Sequence, residues 1–529
     1  MIVGSVARGL EQEYAMNTCP PDQLPRRLLI DTALNCLHDA GYTAPVRWSV
    51  SDETGNLAYE RGLASNWSAD RGPFPAAYNG MRLYDDAVHF EVASPVVRNP
   101  LDSVRYSLAG EVLVYLAAKQ ASEQFGVPVV AYKNNLSTTV SDGLFHSVAY
   151  GTHCNLLLPR SVCNLRRWEK VRRALVPYLV TRLPLIGSGN MVPVRKSQSQ
   201  WEVDWQNGEL VGQELRFAIS PRAGFLRVIS TLDTTFRRGL INERDEPHSD
   251  TNSYWRLHDI NVEALRNPFH IYIVDALQVL VMAAFQRGLL DDPPQLAQPL
   301  PAAKQLSLSW DPSKWKVQLD DGRTVDALRD ILGGFYLEKI AQLVAQEGSP
   351  SDRAVVELLS KVITQLATGD FDSLVHGLDW VTKLALLEEY GAHGEEALLV
   401  CNQFSLIDEA VRWYLGEEID LETCDSLHDA RASFDYAESR LPDNTGAHLQ
   451  KSIATAMLNG PIDTREYLRC AILRKFGREV LQISWEKIYF HGGVICLPDC
   501  FRWGERESEQ IVQRAESVEE IARIIRTSA

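Results

Sequence analysis

The chain of 529 residues has no CxxC pair among its nine cysteines. The nearest two, Cys496 and Cys500, come without the companion ligands of a zinc site. Reduced thiols are therefore expected, and a disulfide scaffold is not. No run of about 18 apolar residues is present to cross a bilayer, and the opening MIVGSVARGLEQEYA lacks the apolar core of a signal peptide, so a cytoplasmic location is expected. There is no long basic stripe, and 53 basic against 69 acidic side chains leave a formal charge of -16. That balance argues against nucleic acid or an anionic membrane as the main partner, because both reward clustered Lys and Arg. Neither GxxxxGK[ST] nor a GxGxxG after a strand occurs, and GSGN at 187–190 is too short and misplaced to replace them. A nucleotide would have to be held without a glycine-rich loop at a helix N-terminus. Internal repeats and low-complexity tracts are absent as well.

What is present is an ordinary globular composition, 45% hydrophobic and 23% charged, long enough for a large domain and a smaller one. MIVGSVARGLEQEYAM reads as a strand, and PDQLPRRLLIDTALNCLHDAG has the helical spacing of Leu28, Leu29, Ala33, Leu34 and Leu37 before a glycine stop. Residues 50–79, rich in Gly, Ser, Asn and Pro, read as a long loop, with a mobile functional lid expected there. A strand at 80–92, a helix from LDSVRYSLAGE onward, PVVAYKNN and the alternating VAYGTHCNLLLP follow. The chain turns mainly helical from HIYIVDALQVLVMAAFQRG to about residue 420. Strands and helices mix without a βαβ rhythm, which predicts an α+β fold. A composition shift near 418–445 predicts a catalytic domain over 1–425 and a small C-terminal domain over 426–529.

The stretch GMRLYDDAVHFEVASP at 80–95 sets many charges in an alternating strand. Alternation sends Arg82, Tyr84 and Asp86 to one face, where three polar groups can meet one ligand, and turns Asp85 the other way. Glu11 and Glu13 in GLEQEY also share a face; with Glu91 they make a hard, oxygen-rich set suited to Mg²⁺. His153 and Asn155 in GTHCN repeat the spacing. RDEPHSD and RLHD gather Arg244, Asp245, Glu246, His248, Asp250, Arg256 and His258, whose guanidinium groups suit phosphate oxygens.

Taken in order, GLEQEY, NGMRLYDDAVHFEVASP, YKNN, YGTHCNLLL, PYLVTR, GSG, RRGLINERDEPHSD and RLH, then DTREYLRCAILRKFG and SWEKIYF, resemble the signature series of the Pup ligase and Pup deamidase/depupylase family. The resemblance implies a glutamine-synthetase-like fold, ATP and Mg²⁺ as cofactors, and a Pup-like small protein modifier and pupylated proteins as partners. It implies a nucleotide-binding role for Arg82, a metal-binding one for Tyr84, Glu91 and Glu11, with Glu13 assisting, and a catalytic one for Asp86. Ser94 and Trp485 would contact ATP, and Arg244 its phosphates. The long spacer before NGMRLY, together with NPLDSVRYSLAGE and TTFRRGLIN, resembles the deamidase/depupylase branch. The implied activity is thus hydrolysis at a C-terminal Gln or at an isopeptide bond. The alternatives are ligation of the modifier to lysine, and a binding protein without turnover. The last is motivated by Cys154 for the Glu of His-Glu-Asn and by NVEAL at 261–265 for a Gly-Asp-x-Asn stretch; the pattern departs also at Ala15 for a Gly and at Phe90 and Val92 for a Pro and a Tyr.

Overall fold

A computed structural model describes residues 1–49, 75–197, 200–234, 236–419, 425–442 and 449–528. Most of the expected lid, residues 50–74, lies outside them. The strands are, in chain order, β1 (Arg8–Thr18), β2 (Arg47–Trp48), β3 (Arg82–Asp86), β4 (His89–Ala93), β5 (Val129–Tyr132), β6 (Leu136–Ser141), β7 (Leu144–Ala149) and β8 (Thr152–Pro159). They continue with β9 (Asn190–Ser197), β10 (Gln200–Glu202), β11 (Asp204–Gln206), β12 (Glu209–Gly212), β13 (Glu214–Ala218), β14 (Val228–Thr231), β15 (Gly239–Asn242) and β16 (Tyr254–Val262). The principal sheet runs β14-β15-β16-β8-β1-β4-β3, with β5 also on β1, and all its neighbours but β14 and β15 are antiparallel. The fold is α+β, as the mixed rhythm predicts.

Period-two burial gives the sheet two unlike faces. On β1 the even residues Leu10, Gln12, Tyr14 and Met16 are buried toward the helices. The opposite face carries Glu11 and Glu13. Two helices cover the apolar face. α1 (Pro100–Phe125) is started by Asn99, whose side chain accepts from Asp102 N, and is ended by Gly126 in the left-handed conformation. It docks on β1 through Gln12 Nε2, which donates to Ser107 Oγ at 2.7 Å. α2 (Pro268–Gln286) has 19 residues and a mean hydropathy high enough for a membrane span, yet every residue of that span is inside the protein. Its Asp275 holds Arg8 of β1 through Nε at 2.7 and 2.8 Å. Breaking such a buried pair from one side costs about 3–5 kcal/mol, so this contact pins β1 in register.

Helices Ala430–Arg440 and Leu449–Leu458 pack into the main core. From Leu468 onward the chain builds a second core, completed by Ala44, Val46 and Trp48 of the N-terminal part. This C-terminal part pairs with β2 in a separate sheet and reaches the start of β3, where Arg469 Nη2 donates to the Gly80 carbonyl at 2.6 Å, which brings Trp485 to the site.

Candidate active site

The stretch 80–92 is not one strand. β3 and β4 form a hairpin closed by a two-residue turn, Ala87 and Val88, both with positive φ, 48° and 69°. In one continuous strand Glu91 would face away from Asp86. The turn reverses the chain, and the register sets Tyr84 opposite Glu91 and Arg82 opposite Ala93, which puts Glu91 on the same face as Arg82, Tyr84 and Asp86. Asp85 points the other way, where its Oδ1 accepts Val88 N at 2.9 Å and its Oδ2 lies 3.6 Å from Arg27 Nε. The turn uses residues poorly suited to it, since a β-branched side chain at positive φ is strained.

β4 lies on β1, with Glu13 opposite Glu91 and Glu11 opposite Ala93. The carboxylate oxygens of Glu13, Asp86 and Glu91 thereby come within 4.8 Å of one another. Tyr84 Oη donates to Glu91 Oε1. Burial, reinforced by Asp86, Glu11 and Glu13, pushes the Glu91 carboxyl well up, and the Tyr84 hydroxyl is pushed up by burial and by Glu91. Asp86 reaches solvent at the edge of this group, and its carboxyl is also raised, first by partial withdrawal from water and then by Glu13. Three acidic groups gathered around one point are the donor set of a hard cation.

A second group lies one strand over. Glu11 is opposite His153 on β8, and His258 of β16 is opposite Asn155. Glu11, His153 and His258 bring ligand atoms within 4.8 Å of one another. Asn155 Nδ2 donates to Glu11 Oε1 at 3.0 Å, and Asn155 Oδ1 accepts from Arg256 Nη1 at 3.0 Å and from His258 Nδ1 at 2.7 Å. With its Nδ1–H so used, His258 keeps a free lone pair on Nε2, the tautomer a metal ligand needs. Burial and then Arg256 hold His258 well below the usual histidine range, so it is neutral. Burial alone would raise Glu11, but the His153 hydrogen bond and the charge of Arg256 keep it well below the usual carboxylate range. Glu246 clamps both arginines, accepting from Arg244 Nε and Arg256 Nη2 at 2.9 Å each.

Beside this group opens a cleft lined among others by Glu11, Ser94, Asn155, His248, Arg256 and Trp485. Ser94 Oγ accepts Leu10 N at 2.9 Å, which ties β1 to the end of β4. The Arg82 guanidinium lies 4.7 Å from the Trp48 ring centre and 4.5 Å from that of Tyr84, while Trp48 meets Trp485 edge-on at 5.0 Å. Glu11, Glu13, Arg82, Tyr84, Asp86, Glu91, His153, Asn155 and His258 thus gather on this one sheet face, Ser94, Arg256 and Trp485 line the cleft, and Arg244 is joined to Arg256 through Glu246.

Cys154 is elsewhere. It faces the helices, opposite Leu10 and Asp259, fully buried near the pairs Arg8–Asp275 and Arg182–Asp259. Cys154 in place of that glutamate therefore leaves no gap in the acidic groups. Within the replaced stretch NVEAL, Glu263 is buried and accepts from Ser188 Oγ at 2.9 Å, Ser220 Oγ at 2.7 Å and Arg222 N at 3.2 Å.

Sequence reading missed Trp48, Arg222 and Arg238. Arg222 is 1% exposed, donates Nη2 to the Ile260 carbonyl and leaves Nε and Nη1 without a hydrogen-bond partner among the described residues. Arg238 is driven down to about 9 by burial and by Arg222. Glu13 is the nearby carboxylate that favours both cations, and its Oε2 accepts Gly151 N at 2.6 Å. Gly151 is required there: a Cβ would stand 2.6 Å from Asn135 Oδ1 and 2.7 Å from Arg222 Nη1. No periodicity marks SPRAGF as part of a site; the signal is tertiary, two buried cations side by side.

A family model described as Pup-ligase protein matches residues 7–489. A depupylase of Acidothermus cellulolyticus is 31% identical over 422 residues, 78% of this chain and 74% of the relative. A Pup deamidase/depupylase of Mycobacterium tuberculosis is 31% identical over 504 residues, 92% of this chain and 91% of the relative. A Pup–protein ligase of Micrococcus luteus is 31% identical over 338 residues, 62% of this chain and 66% of the relative. Among solved structures, the Pup ligase PafA in complex with Pup has a TM-score of 0.69 at 20% identity, covering 99% of this chain and 95% of its own. PafA in complex with ADP has a TM-score of 0.62 at 22% identity, covering 83% and 89%. The hairpin that turns Glu91 toward Asp86, the paired acidic groups and the matched span of residues 7–489 lead to one conclusion: the chain belongs to the Pup ligase family.

Proposed function

We propose that this protein is an ATP- and Mg²⁺-dependent amidohydrolase of the deamidase/depupylase type, acting on the C-terminal Gln of Pup or on the isopeptide bond that joins Pup to a lysine. The observation that carries the reading is the position of Asp86, open to solvent and set within 4.8 Å of Glu13 and Glu91 on a face that also holds the basic cleft. The alignment with a Pup deamidase/depupylase over 92% of this chain supports hydrolysis.

The donors fit hard cations: Glu13, Asp86 and Glu91 offer oxygens alone, and Glu11 offers oxygen beside the imidazoles of His153 and His258. Mg²⁺ held there, with Tyr84 behind Glu91, would offset the charge of the ATP phosphates. Ser94, Arg256 and Trp485 line the cleft; Arg82, Arg244 and Arg256 would neutralise phosphate oxygens, and Ser94 and Trp485 would contact the nucleotide. Asp86 then supplies the base or nucleophile. Its raised carboxyl makes it a stronger proton acceptor than an ordinary aspartate. In hydrolysis it takes the proton of the attacking water, or itself attacks the side-chain carbonyl; the C–N bond breaks and the nitrogen leaves as ammonia or as the lysine amine after gaining a proton, and in the second route water then cleaves the acyl–Asp86 anhydride to release the carboxylate and restore Asp86. Purified protein with ATP, Mg²⁺ and full-length Pup ending in Gln should release ammonia. Conjugation of Pup ending in Glu to a lysine substrate, without ammonia release from the Gln form, would select the ligase instead, and binding without either product would select the non-catalytic alternative.

A further inference from the structure

The site face continues past the acidic groups, on the side away from the cleft. From β1 the cleft takes Arg8 to Glu11, and Glu13, with Asp86 and Glu91 around it, comes next along the strand. Two residues further, about 7 Å on, stands Ala15, half-buried on the same face. The β1–β4 register, with Tyr14 opposite Phe90, sets His89 beside it. Period two puts His89 on the face of Glu91, and the hairpin pairs it directly with Asp86.

His89 is held by its ring rather than by its nitrogens. The side chain is half-buried, and among the described residues its imidazole has no hydrogen-bond or ion-pair partner. It lies instead on Tyr150, with ring centres 4.4 Å apart and planes 26° apart. Tyr150 is 3% exposed and tied at both ends, its N–H donating to the Asn135 carbonyl at 3.2 Å and its hydroxyl to the Leu136 carbonyl at 3.3 Å. The next residue, Gly151, donates to Glu13. The stack is thus a fixed aromatic wall beside the acidic group, at the end where Asp86 opens to solvent.

The two hydrolyses of Proposed function differ in what the scissile nitrogen carries. In a C-terminal Gln it carries only hydrogen, whereas in the isopeptide it carries the four-carbon stem of a lysine. That stem must leave the acidic group on the solvent side, because the other side is the cleft assigned to the nucleotide. Methylenes gain from burial only where an apolar surface covers them, and the flat stack is such a surface. Opposed side chains of a hairpin start about 5 Å apart, so the first methylenes on a nitrogen held at Asp86 reach the His89 ring. Building on the reading in Proposed function, we propose that the His89–Tyr150 stack seats the alkyl stem of the target lysine and is the determinant that separates isopeptide cleavage from deamidation. The ring acts by its surface, while the bond to be broken stays at Asp86.

The test gives the full chain, with ATP and Mg²⁺, full-length Pup in forms that differ only at the terminal side-chain nitrogen: the Gln amide, a methylamide, a butylamide and a lysine isopeptide. Methylamine and butylamine are nearly equal in basicity, so the chemistry favours neither. The wild type should cleave the butylamide and the isopeptide roughly tenfold better in kcat/KM than the methylamide, the effect of covering about two methylenes. His89→Ala should lose that advantage while ammonia release from the Gln form and ATP affinity stay as in the wild type. His89→Phe, flat but unable to carry a proton, should restore it. Equal cleavage of methylamide and butylamide by the wild type overturns the inference, whether or not the variants fold. So does His89→Ala slowing every form alike, which assigns the imidazole to the chemistry or to the hairpin, and so does a phenylalanine that restores nothing. In all three outcomes ammonia release by the wild type leaves the functional reading standing. A wild type that processes none of the forms overturns both.

Discussion

The hairpin register makes a sharp distinction between two adjacent aspartates. Asp86→Asn keeps the shape of the side chain but removes its charge, its basicity and one oxygen donor of the acidic group. A positioned base or nucleophile contributes on the order of 10²–10⁴ in rate. The variant should therefore lose at least about a hundredfold in kcat, about 3 kcal/mol of barrier. Asp85→Asn should do little. Its Oδ1 bond to Val88 N at 2.9 Å survives in an amide, and the lost attraction is to Arg27, 3.6 Å away with a side chain 50% exposed. The Asp85 side chain is itself only 3% exposed, but Arg27 stays half in water, which screens the attraction to about 1 kcal/mol. Both variants should be assayed side by side for ammonia release with Pup ending in Gln, ATP and Mg²⁺, with ATP binding measured by calorimetry as a check on folding. An inactive Asp85→Asn beside an active Asp86→Asn would refute the register, and equal activity in both would refute the role of Asp86.

Glu91→Ala removes a buried carboxylate from the cation group, so Mg²⁺-dependent ATP affinity should fall about tenfold or more by calorimetry; wild-type affinity would remove Glu91 from the metal site. Val88→Gly relieves a β-branched residue at φ 69° and sacrifices a side chain that is 38% exposed, so the hairpin should gain about 0.5–1 kcal/mol, read as slower exchange of the β3 and β4 amides. Faster exchange would mean that the side chain contributes more than its backbone costs. Asp408 is raised to about 7, by burial and then by Glu409, and has one buried oxygen without a hydrogen-bond partner among the described residues. Because the folded state holds this proton more tightly than the unfolded chain, its contribution to stability is full below about pH 4 and is lost as the pH rises through about 7. Asp408→Asn should thus raise the melting temperature at pH 8 and change it little at pH 4, and a gain confined to acid pH would contradict the assignment.

Local alternation suffices to place Glu11 with Glu13, His153 with Asn155, and Arg82 with Tyr84 and Asp86, because in a strand the side-chain period is two and depends on nothing distant. Ordered motifs along the chain likewise carry the family. Turn geometry is weaker in the residues: Ala87 and Val88 give no hint of a positive-φ turn, since Asn or Gly would normally mark one. Only the paired strands force it, and with it the change of face that brings Glu91 to Asp86. The same holds for Cys154, which lies in a site motif yet faces the helices because its neighbours His153 and Asn155 take the other side. Trp48 and Trp485 stand 437 positions apart and meet because residues from 466 onward share a core with 44–48. Arg222 and Arg238 become site residues only when β1, β8 and Gly151 bring Glu13 to them. A strand's own chain sets which residues share a face; which strands lie side by side, and which buried charges therefore meet, is set by the packing of the whole sheet against its helices.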